Sequence, residues 1–241
     1  MNPFEKPKVF LESNPKEQAK KVKERLLEAF ETGLDDKESI GYHGTSLESI
    51  KMLLDKGILP GSSGDEDTVD YGKGALFLFP RKSVFPEYYA TGEFSDENAL
   101  EYARDYAEFL GRYHYIANSL GLDLDKTEDR NVGKSLARRD SGIPGDAEEA
   151  KETVEVLVSK KGMSREKINA VLDKSKSRKG VIITFSKNTL DDYKTVKGDD
   201  TSHIQDIALI CPKGLEYKYI SGIEPLGQEE WDFFEKLQKE K

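Results

Sequence analysis

Apolar residues recur at helical spacing near the start of the chain, where Ala19, Val22, Leu26 and Phe30 stand three, four and four residues apart, one stripe of a 3.6-residue period. Asn14 occupies a cap position, Pro15 suits a first turn, Glu17 can complete a capping box and Gly33 is placed to end the helix. A peripheral amphipathic helix over about 14–30 is predicted. Ile40 to His43 then reads as a short strand, and Thr45 with Glu48 forms a second capping box, opening a helix through Asp55 that Gly57 closes. After a loop around 60–67, Ala75 to Phe79 reads as a strand bounded by Gly74 and Pro80. Ser95 can cap a helix in which Ala99, Tyr102, Ala103, Tyr106, Ala107 and Leu110 keep a helical period.

Between Arg112 and Lys179 the pattern predicts three helices and no strand: one continuing to about Leu120, one from Ala147 to Ser159 and one capped by Ser164. Strand character returns at Gly180 to Phe185, Ile207 to Cys211 and Tyr217 to Ile220, before a last helix around Trp231, Phe233, Phe234 and Leu237. Strands and helices are grouped rather than alternating, so the expected class is α+β. The expected organisation is an N-terminal helical extension over 1–35 and one domain over 36–241, with a helical insertion at about 112–179.

Composition narrows the partners. In 241 residues, 34% are charged and the formal net charge is -9, which disfavours broad attraction to nucleic-acid phosphates. The single cysteine, Cys211, lies in an apolar run; no internal disulfide or thiolate metal cluster can form, and it reads as a small buried hydrophobe. Residues 1–8 lack the apolar core of a secretory signal and no run reaches about 18 apolar residues, so a cytoplasmic protein without a membrane partner is expected. His114 and His203 stand at no metal-ligand spacing and read as structural or surface residues, and no metal is expected. Gly72-Lys73-Gly74 lacks the frame of a nucleotide phosphate loop.

His43-Gly44 falls at a strand-to-helix junction, where glycine admits a ligand to the backbone and the helix start offers unpaired N–H groups. Four elements then follow in order: Thr45-Ser46, a helix ending at Gly57-Ile58, the segment Tyr71-Gly72-Lys73-Gly74-Ala75-Leu76-Phe77, and Tyr102 within a later helix. That series resembles the NAD-binding half of the ADP-ribosyltransferase superfamily, diphtheria-toxin-like and poly(ADP-ribose) polymerase-like. The likeness covers about Ile40 to Tyr106 well and Gly180 to Pro225 in outline. It implies a split pair of mixed β-sheets around an NAD cleft, with helices at the N-terminus, in the middle and at the C-terminus.

The resemblance also implies roles. His43 would hydrogen-bond a ribose hydroxyl of NAD, and the Gly44 backbone would pair with the nicotinamide amide. Thr45 either assists or simply caps the next helix. Tyr71, Gly74, Leu76 and Phe77 would line the cofactor site, and Tyr102 would stack on nicotinamide, where an aromatic face complements the flat cationic ring. A late carboxylate would hold the ribose hydroxyl and stabilise the charge that grows as nicotinamide leaves; Asp206 fits that task, with Gln205 in reserve. The chain departs from the family pattern at Leu76, where a tyrosine is usual, at Ala99, where polymerases have a serine, and in lacking a glutamate before the late strand. The missing glutamate implies a single transfer from NAD to an acceptor, expected to be a protein, rather than chain elongation, while the three departures together favour a domain that binds without catalysis. NAD hydrolysis and a non-catalytic domain binding NAD, ADP-ribose or a protein are the alternatives.

Overall fold

The sheet at the centre of the molecule draws its strands from both ends of the chain. The computed structural model describes residues 15–59, 75–86, 95–143, 145–197, 207–211 and 213–240. In chain order these form α1 (Pro15–Thr32), β1 (Gly41–Thr45), α2 (Leu47–Lys56), β2 (Ile58–Leu59), β3 (Ala75–Pro80) and α3 (Asp96–Leu120). There follow α4 (Thr127–Arg138), α5 (Asp146–Lys161), α6 (Arg165–Ser175), β4 (Val181–Phe185), α7 (Thr189–Asp192) and β5 (Lys194–Lys197). β6 (Ile207–Ile210), β7 (Leu215–Glu216), a 3-10 turn at Tyr217–Tyr219, β8 (Ile220–Pro225) and α8 (Gln228–Lys239) complete the described chain.

Six strands pair in the order β5-β6-β3-β1-β4-β8, and β2 pairs with β7 in a separate ribbon. The class is α+β, but the expected mixed sheets are not seen: every ladder among the described residues is antiparallel. Only two residue pairs join the halves of the large sheet, Gly41↔Pro80 and Tyr42↔Phe79. Past them β1 keeps β4 as its partner through Thr45↔Val181, while β3 pairs with β6 from Leu78↔Ile207 to Ala75↔Ile210. The sheet therefore divides between His43–Thr45 and the first residues of β3.

α1 packs against the edge strand β8. Its Val22, Leu26, Leu27 and Ala29 join the strands in one core, so this helix is built into the domain rather than appended to it. Gly33 takes φ +62° at its end and donates to Ala29 O at 3.1 Å, as its sequence position suggested, while Asn14 lies outside the described residues. Several caps match the sequence. Ser95 and Ser164 accept the amides of Asn98 and Lys167, and Gly57 closes α2 in the left-handed region.

α3 is one unbroken helix of 25 residues serving two cores. Its N-terminal half carries Ala99, Ala103 and Ala107, fully buried against the strands. Its C-terminal half carries Tyr113, Ile116, Ala117 and Leu120 into a second core completed by Leu136, Val154, Leu157, Ile168 and Leu172 of α4 to α6. The expected helical middle is thus a small bundle, with one helix more than the pattern predicts. α4 was concealed by Gly133, whose added Cβ would stand 2.8 Å from the Tyr113 ring, a packing reason that a propensity pattern does not display. The strand expected at Tyr217 to Ile220 is also corrected: the chain makes a 3-10 turn there before β8 starts at Ile220.

Candidate functional site

β1 reaches the division of the sheet with alternate side chains on opposite faces. Gly44 faces α3 so closely that an added Cβ would lie 2.2 Å from Ala103 O and 2.5 Å from Ala107 N. The glycine is therefore required by helix-on-strand contact, whatever else its backbone does. One turn on, Gly180 is held between Ala107 O and Thr45 O, and Gly111 meets Gly180 N. Alanines and a glycine at four-residue spacing on α3 thus let the helix axis approach the strand backbone, which fixes Gly44 and Thr45 in position.

His43 sits across the ladder from Ile183 and is 7% exposed. Its Nδ1 stands 2.6 Å from the carbonyl oxygen of Phe77 on β3. A carbonyl only accepts, so Nδ1 carries the proton, and one hydrogen bond spans the two strands where their ladder has ended. Burial pushes the imidazole pKa down to about 4 against the opposing pull of the Phe77 carbonyl. The ring is therefore neutral at pH 7. Its Nε2 keeps a lone pair with no hydrogen-bond partner among the described residues, a suitable acceptor for a ligand hydroxyl.

Thr45 is the last residue of β1, and the helix cap is Ser46 instead: Ser46 Oγ accepts the Ser49 amide at 3.1 Å. The capping role foreseen for Thr45 is therefore taken by its neighbour. Leu76, expected as a wall of the cleft, is 1% exposed within the main core and pairs with Leu209. Because side chains alternate along β3, Phe77 is the residue turned the other way, half-buried, with its carbonyl on His43. Tyr102 is half-buried on α3 and lies 5.8 Å from the Phe79 ring at an interplanar angle of 34°. Tyr71, Gly74, Gln205 and Asp206 lie outside the described residues.

His43, Gly44, Thr45 and Phe77 thus come together at the division of the sheet, with Tyr102 on the helix packed over the same strands. The nearby guanidinium of Arg81 donates to Leu34 O at 2.7 Å and stacks on Tyr42 at 4.6 Å, so it ties the chain locally. Sequence reasoning missed two polar groups, the Phe77 carbonyl and the pair formed by Ser46 and His114, whose Oγ and Nδ1 are 2.5 Å apart. Sixty-eight residues separate that pair, and no local pattern announces it. Among the described residues no group of three or more His, Cys, Asp or Glu side chains could hold a metal ion, and no helix is long and apolar enough to cross a membrane. Neither a family model, nor a curated protein, nor a solved structure matches the chain.

Proposed function

We propose that the chain is an NAD-dependent mono-ADP-ribosyltransferase that moves one ADP-ribose from NAD to an acceptor protein. The observation that carries this reading is the divided antiparallel sheet with a buried, neutral histidine at the division. His43 offers a lone pair to a ribose hydroxyl, and one-sided pairing leaves β1 backbone groups past Tyr42 without a ladder partner on the β3 side. Gly44, kept free of a side chain by α3, lies in that same stretch. In the proposed reaction the bond from nicotinamide nitrogen to ribose C1′ breaks, nicotinamide leaves with the electron pair, and an acceptor nucleophile bonds C1′ as its proton passes to solvent. Asp206, next before β6, is assigned the task of steadying the cationic ribose, with Gln205 as the reserve.

A second reading, NAD binding without transfer, is favoured by one observation: Leu76 lies in the core and Ala99 has no hydroxyl, so two groups expected to grip nicotinamide are withdrawn. Adenine-labelled NAD incubated with the protein and a cell extract separates the two. Nicotinamide release with label on protein supports the transferase. Release without label means hydrolysis, and saturable binding without release means a binding domain. His43→Ala should weaken NAD binding by about tenfold or more, because a hydroxyl acceptor is lost together with the tie to Phe77; unchanged affinity would refute the site.

A further inference from the structure

Ser46 follows the site strand directly and starts α2. Its hydroxyl is fully buried, accepts the Ser49 amide at 3.1 Å and lies 3.2 Å from Ser49 Oγ. Across from it, His114 of α3 brings Nδ1 to 2.5 Å. His114 is half-buried, beside Tyr113 and two residues before Ile116 of the bundle core, so it stands where α3 passes from the sheet into the bundle. The pair is no nucleophile and base: Ser46 is 0% exposed, and no electrophile can approach it. Burial holds the imidazole pKa below the ordinary histidine value, with Glu48 pulling the other way, and a neutral ring can accept the Ser46 proton. The hydroxyl then points its hydrogen at His114 and a lone pair at the Ser49 amide, which fixes its rotation.

We infer that His114 is a positioning residue of the candidate site, acting through Ser46. By locking the cap of α2 it holds the end of β1, so that His43, Gly44 and Thr45 keep their places opposite β3. Without the imidazole the Ser46 hydroxyl can turn to Ser49 Oγ instead, and the junction between β1 and α2 gains freedom. The structural half of this inference rests on the hydrogen bonds alone, and its functional half rests on the NAD reading of the cleft.

The test uses the full chain and four variants: His114→Leu, His114→Asn, Ser46→Ala and the double variant S46A/H114L. Two quantities are read, amide hydrogen exchange over 43–49 in the ligand-free protein and the Kd for NAD by titration. His114→Leu should speed exchange across that stretch and weaken NAD binding, each by about threefold to tenfold, the scale of one net buried hydrogen bond. His114→Asn, with a polar atom near the place of Nδ1, should recover most of both, and the double variant should be no worse than Ser46→Ala. A purely structural role would lower the melting temperature without discriminating leucine from asparagine in NAD affinity. Unchanged exchange over 43–49, indistinguishable leucine and asparagine variants, or additive effects of S46A and H114L would each overturn the inference. If the unaltered protein binds no NAD, it is the functional reading that falls, and the exchange profile still decides the role of His114. Should His114→Leu fail to fold, His114→Asn against Ser46→Ala gives the same comparison.

Discussion

The sheet half and the helical bundle are built on different plans. The sheet core joins strands from residues 41 to 225 with α1, α2 and α8, so nearly every contact closes a long loop. The bundle core is drawn from one run, Tyr113 to Leu172, and helices close in sequence are its only source. The candidate chemistry lies wholly in the sheet half, where non-local pairing brings β1 beside β3. The bundle owns half of α3. A helix shared by two cores passes the packing of one on to the other.

Substitutions at glycine test that contrast most severely. Gly44→Ala sets a Cβ against backbone atoms of α3 that cannot step aside, and should cost about 4 kcal/mol. Gly133→Ala, in the bundle, meets the edge of the Tyr113 ring, a side chain able to turn, and should cost about 1 kcal/mol. Denaturant unfolding measures both, and equal losses would show that α3 presses no harder on the strand than on its neighbours in the bundle.

Acid should separate the halves next. His43 is neutral in the folded chain down to about pH 4, whereas the unfolded chain protonates it near pH 6.5. Between those values the unfolded state binds the extra proton, so stability is full above about pH 6.5 and falls as pH drops towards 4. The loss at the lower limit is on the order of 3 kcal/mol. His43→Gln should flatten that part of the pH–stability curve; a curve unchanged by the substitution would remove the buried-neutral assignment. The smallest of the three larger effects belongs to the bundle. Leu172 lines an open hollow of about 340 Å³ between α5 and α6, so Leu172→Ala should cost only about 2 kcal/mol, the low end for a buried leucine. Hydrogen exchange should rise in α4 to α6 and stay unchanged in β1, β4 and β8; acceleration in both halves would mean that they unfold as one.

Much of this plan was legible in the sequence wherever a residue acts within a few positions of itself. Ser95, Ser164, Gly33 and Gly57 mark helix ends by chemistry confined to one turn, and the apolar runs of β1, β3, β4 and β6 declare themselves. What stayed hidden depends on distant partners. Gly133 is there for Tyr113, and the polar edge strand β5 exists because β6 offers it a ladder. The cap passed from Thr45 to Ser46 because β1 keeps pairing with β4 two residues further, to Thr45, than the run ending at His43 suggests. At the candidate site, the position of His43 and Gly44 at the end of β1 could be read from their junction alone. Leu76 went astray because its side of β3 is decided by the sheet, and the Phe77 carbonyl has no signature in a sequence at all.

The two borders of the sheet differ in what they offer to a stray strand. β8 has α1 packed on it, whereas β5 ends the opposite side with Lys194 and Lys197 at its termini and Thr195 and Val196 between them. Any neighbouring molecule that tried to extend the ladder there would have to bring its backbone against the exposed ammonium group of Lys194 and strip it of water. Crowded solutions of this protein should therefore thicken before they grow fibres from that border.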